Sequence, residues 1–363
     1  MKKFHNEPYS EETLVKLGIF RDYLRSWLPV FINTGKTYWH KINIVDFFAG
    51  QGCDVNGVSG SSLIIFEELQ PYLKLIKQKG ISVNIILNEK EKELFDLLED
   101  NITKYRNHES YFVKTENKDF HETFVNHYYE LSNLNSANLV FLDQFGIKQI
   151  DSKTFEMLIK LKRTDFLFFI SSSIVNRFIE KESINKHLQI DKDEIDKLSY
   201  NYIHKIVYDY YKKQIKNENY FLAPFSIKKT SNIYGLIFGS NHPLGMEKFL
   251  NTAWKYDKQR GEANFDIDSE KLHNDQLDLF TGEINKSKKV ELYEDELVKR
   301  ILNGEISTNK DVYLFTLNEG FIPKHSRKVL KDLHKQKKID NLHLHLSHKC
   351  CLPNSALEKI ILL

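Results

Sequence analysis

Four apolar runs in the first half of this sequence are each closely followed by an acid: Asp46, Glu89, Asp119 and Asp143. The first run, Ile42–Val45, ends on Asp46 and opens into a loop carrying Gly50, Gly52, Gly57 and Gly60. A helical pattern from Ser61 to about Lys79 follows directly. Glycines let backbone approach a ligand closely, and a helix N-terminus offers it unpaired N–H groups. The loop has neither the dinucleotide pattern G-x-G-x-x-G nor the Gly-Lys-Ser/Thr of a phosphate-binding loop. In an open α/β sheet, acids at the carboxyl ends of strands stand where such folds bind ligands. Asp46 reads as one of these, its alternative being a turn cap. Glu89, after V-N-I-I-L-N, stands where an acid accepts from both hydroxyls of a ribose, although Asn88 beside it could hold the strand tip instead. Asp119, in E-N-K-D-F, is placed to meet an adenine amino group or is an ordinary exposed loop acid. Ser61 stands where a helix N-cap is expected, and capping is the simpler role.

The elements that must position these residues alternate. Residues 10–28 show helical periodicity behind a Ser cap with acids in the first turn. Strands are expected at Ser82–Leu87, Ser110–Lys114, Asn138–Leu142 and Phe166–Ile170. Helices are expected at Glu89–Tyr105, His121–Leu134 and Ser152–Lys162. Such alternation predicts a parallel sheet with helices on both faces. A helical section, Ile174 to about Lys216, then precedes two strand-like runs, Phe221–Lys228 and Ile233–Phe238, joined by the turn signal K-T-S-N. Arg177 could meet a phosphate at the pocket rim or be a solvated helix charge, and His242 is expected to cap the next helix.

Residues 258–290 are polar and charge-rich and read as a linker, with Gln276–Phe280 a possible docking segment inside it. Beyond it, helices at Glu291–Asn303, Asn309–Leu317 and Pro323–Gln336, followed by the alternating L-H-L-H-L of 342–346, read as a winged helix-turn-helix with 342–346 as a wing strand. The expected domains are 1–260, a linker at 261–290, and 291–363. The third of these helices carries Lys324, Arg327, Lys328, Lys331 and Lys335, with Lys337 and Lys338 just beyond and Asp332 as its acid. Such a cluster suits a recognition helix facing phosphates. It also suits a charged outer face, or a protein contact.

The whole chain of 363 residues carries a formal net charge of only +2, so any affinity for nucleic acid must come from local patches of this kind. At 41% hydrophobic content it can bury one large core and a smaller one. Cys53, Cys350 and Cys351 match no zinc spacing and suit a reducing compartment. The N-terminal residues lack an apolar signal core, and no apolar run approaches ~18 residues, so a cytoplasmic protein is expected. Abundant Lys, Ile and Asn suggest an AT-rich bacterial or phage source.

The segment V-D-F-F-A-G-Q-G contains D-x-F-A-G-x-G, which resembles the first motif of S-adenosylmethionine (SAM) dependent methyltransferases, particularly those acting on nucleic acids. The terminal hairpin on a parallel five-stranded sheet is also how the class I methyltransferase fold ends. The resemblance implies SAM as cofactor, with Asp46 binding its amino acid end, directly or through water. Phe48, Ala49, Gly50 and Gly52 would wrap the methionyl part. It makes Asp143-Gln144-Phe145-Gly146, at the end of N-L-V-F-L, the reaction centre. Amino-methyltransferases for bases carry [D/N/S]-P-P-[Y/F] there, whose polar residue accepts from the target amine while the aromatic stacks on the extruded base. The tetrad here keeps an acid and an aromatic, lacks both prolines and is one residue tighter.

Three segments in order, V-D-F-F-A-G-Q-G with the following G-S-S, F-L-D-Q-F-G, and Y-G-L-I-F-G-S-N-H-P-L-G-M, resemble the three-Cys-motif partner family over roughly residues 10–260. That family usually shows D-P-F-G where this chain has Gln144. Its genes often neighbour a radical-SAM-like protein that bears the three cysteines, so Cys53, Cys350 and Cys351 are not those residues. The expectation is a SAM-dependent methyltransferase-like protein acting on DNA or RNA, in modification or defence. The alternative is a non-catalytic partner or scaffold for a radical-SAM-type protein. A DNA-binding regulator with a small-molecule sensor domain fits the same architecture.

Overall fold

The computed structural model describes residues 7–33, 40–143, 152–171, 203–216, 220–229, 232–271, 286–340 and 343–363. They form two compact units, Met1–Asn241 and His242–Leu363.

The first unit is built on a seven-stranded sheet: β1 (Lys41–Asp46), β2 (Ser82–Asn88), β3 (Phe112–Glu116), β4 (Ser136–Leu142), β5 (Thr164–Ser171), β6 (Phe221–Lys229) and β7 (Asn232–Ser240). The spatial order is β3-β2-β1-β4-β5-β7-β6. β1 to β5 are parallel, and β7 runs antiparallel between β5 and β6. The sheet is mostly parallel and carries the terminal antiparallel hairpin expected from the sequence. The order turns at β1 and β4, whose chains leave in opposite directions, and open α/β sheets bind ligands at such a switch point.

Both faces are covered, so the central strands are buried nearly throughout. On one face α5 (Phe120–Leu131), α6 (Ser152–Lys160) and α7 (Ile203–Gln214) pack Phe124, Phe155 and Tyr211 onto Val45, Val140, Phe166 and Phe168. On the other, α1 (Glu11–Ile32) packs on α2 (Ser61–Leu69), and its Phe20 ring lies 4.3 Å from that of Phe141 in β4. Across the buried strands Asn84, Asn43, Asn138 and Thr164 stand in register on β2, β1, β4 and β5. Their side chains hydrogen-bond one to the next at 3.0, 2.7 and 2.8 Å. A buried amide must be satisfied, so this chain of bonds specifies the register.

Several boundaries differ from the sequence reading, each for a local reason. The helix expected at Ser61–Lys79 is broken: α2 ends at Leu69, a 3₁₀ turn spans Gln70–Tyr72, and α3 runs Leu73–Lys79. Pro71 has no N–H to continue the ladder. The helix α4 (Lys92–Arg106) starts after Glu89, because the Glu89 carboxylate takes the Glu91 N–H at 2.8 Å. α1 continues past 28 through Pro29, whose carbonyl accepts the Asn33 N–H. Arg177, much of the 174–216 section, and Gln276–Phe280 lie outside the described residues.

In the second unit α8 (Pro243–Tyr256) precedes α9 (Lys288–Leu302), α10 (Asn309–Asn318) and α11 (Pro323–Lys335). α8 belongs to this unit: Trp254 Nε1 donates to the Gly320 carbonyl at 2.9 Å, and the Tyr313 hydroxyl donates to Glu247 at 2.6 Å. His242 caps α8 as expected, accepting the Leu244 N–H at 3.1 Å. The first residues of the stretch read as a linker are folded. The guanidinium of Arg260 is buried and paired with Asp266, Asp268 and Glu270. Residues 343–346 form no strand. Leu344 and Leu346 face inward while His343 and His345 are exposed, and among the described residues of this unit the sheet-like pairing is limited to the bridges Thr308–Lys359 and Ile339–Leu362.

Candidate active site

Asp46 ends β1 and is fully buried. Its Oδ1 accepts the Phe48 N–H at 3.1 Å, which starts the turn, and its Oδ2 has no hydrogen-bond partner. Burial pushes the carboxyl up to about 7; the Ser61 hydroxyl and the Phe48 N–H oppose that rise, and the charges of Asp143 and Glu89 add to it. Ser61 is therefore not the helix cap. Gly60 takes that position, and Ser61 is the first helical residue, its hydroxyl near enough to Asp46 to pull that carboxyl down.

The glycine loop is held open by its own backbone. Gly50 and Gly52 take left-handed φ values of 58° and 95° that other residues adopt at a cost. The Gly60 N–H donates to the Gly52 carbonyl at 2.7 Å, closing the loop at its neck. A Cβ on Gly60 would stand 2.7 Å from the Tyr9 hydroxyl and 2.9 Å from that carbonyl, so the chain has no room for one. Phe48 is half-buried and stacks on Phe120 at 5.3 Å, forming a wall of the loop. Ala49 is buried and tied to β2 by its N–H to the Asn88 carbonyl at 2.9 Å.

Glu89 and Asn88 divide the tip of β2. Asn88 holds the strand, donating to Phe47 and Lys118 carbonyls and accepting from the Thr123 hydroxyl. Glu89 reaches the loop, its Oε2 accepting the Gly50 N–H at 3.0 Å. Burial raises its carboxyl, while the N–H groups of Glu91 and Gly50 pull it down. Asp119 caps α5 through the His121 N–H at 3.0 Å and pairs with Lys90 at 2.9 Å. These bonds account for it as a capping acid at the same sheet edge.

Asp143 follows β4 on that edge, and its Oδ2 is paired with the Lys16 ammonium from α1. Gln144, Phe145 and Gly146 lie outside the described residues. Asp46 and Glu89 thus bond to the glycine loop, and the charge of Asp143 is felt at Asp46.

Two residues that the sequence reading missed come from the N-terminal segment. The Tyr9 N–H donates to Asp54 Oδ2 at 2.8 Å, and Asp54 also accepts the Asn56 and Val58 N–H groups, so one carboxylate fastens both the loop and the segment ahead of α1. Burial, then the negative charges of Cys53, Asp54, Asp143 and Asp46, push the Tyr9 phenol far above its ordinary value, so it stays a donor. Lys16 offered a signal in retrospect. It shares a helical stripe with Phe20, Tyr23 and Trp27, all buried, where a solvated lysine has no reason to stand.

The basic helix is α11. Lys324, Arg327, Lys328, Lys331 and Lys335 are all exposed. Arg327 donates to the Leu346 carbonyl at 2.9 Å, tying 343–346 to the helix, while Lys328 lies 3.4 Å from Glu294. Lys324 and Lys331 form no ion pair among the described residues. Among those residues no His, Cys, Asp or Glu grouping could hold a metal ion, and no helix is long and apolar enough to cross a membrane.

A family model described as a GMT-like wHTH domain matches residues 264–343, which cover α9 to α11. The second unit therefore contains the expected winged helix-turn-helix. Similar solved structures include a putative methyltransferase, yhhF, from Escherichia coli, with 15% identity, 61% of this chain and 85% of that one covered, and TM-score 0.29. The O-methyltransferase TomG from Streptomyces achromogenes, in complex with SAM, shares 10% identity over 64% of this chain and 90% of its own, with TM-score 0.34. The N-terminal domain of human METTL16, in complex with SAH, shares 9% over 67% and 75%, with TM-score 0.33. No curated protein matches the chain.

Proposed function

We propose that this protein is a SAM-dependent methyltransferase whose winged helix-turn-helix unit grips a nucleic acid. The observation that carries the reading is Asp46 Oδ2, fully buried at the end of β1 and without a partner beside an open glycine loop. An orphaned buried oxygen costs about 1–3 kcal/mol, and the ammonium of an amino acid ligand would satisfy it. At Gly50, left-handed and with nothing within 4 Å of the point a Cβ would occupy, the backbone is approachable, as the methionyl part of SAM requires.

Bound SAM would supply an activated methyl group. The chain's task is positioning. Asp46 would hold the amino group, with the N–H groups and carbonyls of Phe48 to Gly52 around the chain that carries the sulfur. Glu89, already fixed by Gly50, would accept the ribose hydroxyls with its remaining lone pairs, and Asp119 would stand near the adenine. Asp143 would orient the acceptor, with Gln144 and Phe145 beside it. Lys324, Arg327, Lys328, Lys331 and Lys335 would meet phosphates. Methyl transfer to DNA and RNA pools, followed by nucleoside analysis, tests this reading. Asp143→Ala is expected to abolish transfer while S-adenosylhomocysteine still binds; unchanged turnover would remove Asp143 from the reaction centre.

One observation favours a second reading, a non-catalytic partner of a radical-SAM-type protein in a bacterial or phage system. Asp143 is already occupied by Lys16. Cofactor binding without methyl transfer to any nucleic acid, together with co-purification of a three-cysteine protein, would support it.

A further inference from the structure

Asp46, Glu89 and Asp143, each at the end of a strand or just beyond it on one edge of the sheet, stand in three different states. Glu89 has an oxygen on each of two backbone N–H groups, those of Gly50 and Glu91. Asp46 keeps an unpartnered oxygen. Asp143 carries a cation, the Lys16 ammonium, which also lies 5.4 Å over the Phe169 ring. Both partners of that ion pair are mostly buried, their side chains 18% and 23% exposed, so their charges act over the pocket with little screening. The charge of Asp143 is felt at both Asp46 and Tyr9.

We infer that Lys16 is a charge-balancing residue: by pairing with Asp143 it cancels the pocket's preference for a sulfonium over a thioether. The inference rests on the SAM-binding reading above. SAM and its product differ by one methyl group and one positive charge on sulfur, and that charge disperses as the methyl leaves. An unpaired carboxylate near the sulfur would stabilise the charged reactant more than the transition state, deepening the ground state and slowing transfer. Lys16 prevents this while leaving Asp143 in place at the sheet edge. It comes from α1, outside every motif that resembles a methyltransferase.

The test is calorimetric titration of SAM and of S-adenosylhomocysteine into four full-length proteins: wild type, Lys16→Met, Asp143→Asn and the double variant. A merely structural role for Lys16 would shift both ligands alike, so the ratio of the two affinities is the readout. The ratio is expected to move about tenfold towards SAM in Lys16→Met, where Asp143 stands unpaired. It moves about tenfold towards the thioether in Asp143→Asn, where Lys16 stands unpaired, and returns to the wild-type value in the double variant. Lys16→Arg, which keeps the charge, keeps the wild-type ratio and controls for folding. A ratio constant within about twofold across the four proteins would overturn the inference while leaving the cofactor reading intact. Wild type that binds neither ligand would overturn both.

Discussion

The Tyr9 hydroxyl stands 2.7 Å from the point a Cβ on Gly60 would occupy, so the segment ahead of α1 and the neck of the glycine loop share one space. The Gly52 carbonyl, at 2.9 Å from the same point, closes the other side. Gly60→Ala must therefore displace backbone as well as a side chain. It is expected to cost about 1–3 kcal/mol of stability and to weaken SAM binding more than tenfold. Tyr9→Ala in the same background relieves one clash and restores only part of the affinity, because the carbonyl remains. Thermal melts with ligand titration check both.

Asp46 gives a pH signature. Its carboxyl is raised to about 7 by burial, above its value in the unfolded chain. Its contribution to stability is therefore fully present below the unfolded value near 4, and is lost as pH rises through about 7. Unfolding curves of the ligand-free protein should show stability falling across that window, and Asp46→Asn should flatten the fall. Ligand affinity runs the other way, since an ammonium prefers the ionised acid. SAM affinity is expected to rise as pH rises through about 7 and to level off roughly one pH unit above it, with no such rise in Asp46→Asn.

Glu130 behaves oppositely. Burial pushes its carboxyl up, but the Lys41 and Lys114 ammonium groups outweigh that and hold it at about 2. Its stabilising contribution is present above the ordinary carboxylate range and is lost as pH falls towards about 2. The same carboxylate accepts from Asn84 at 2.8 Å, at the end of the amide ladder across the sheet. Glu130→Ala is expected to cost about 1–2 kcal/mol at neutral pH and to shrink the acid limb of the unfolding profile.

On α11, Lys324→Ala and Lys331→Ala are expected to weaken nucleic-acid binding evenly across sequences, each lowering the salt slope by about 1. Arg327→Ala should do more. It also releases the Leu346 carbonyl, and so loosens residues 343–346. Binding isotherms at several salt concentrations separate the two effects.

The alternation of strands and helices was legible because the apolar runs and their terminal acids repeat, and a parallel strand buried on both faces leaves a continuous apolar signature. The place of Asp46 at the end of a strand was legible for the same reason, and the turn cap read as its alternative is present too, in its bond to the Phe48 N–H. Ser61 was misread because Gly60 can fill the cap position, which moves Ser61 one place into the helix and turns its hydroxyl to Asp46. For Asp119 an adenine contact and an ordinary loop acid are both expected from the sequence; its bonds to the His121 N–H and to Lys90 are local ones that the sequence does not announce. The partners of Lys16 and Tyr9 were not legible because they arise from long-range contacts, with Asp143 and with Asp54, that no local spacing encodes; for Lys16 the spacing marks only its place on the buried stripe of α1. The alternation at 342–346 did report burial, with Leu344 and Leu346 inward, but burial of alternate residues does not require a partner strand.

The most direct test of the account is calorimetric titration of SAM and S-adenosylhomocysteine into the purified full-length protein, with Asp46→Ala alongside. The account predicts micromolar binding to wild type that is lost in the folded variant. A well-folded wild type that binds neither compound would contradict it.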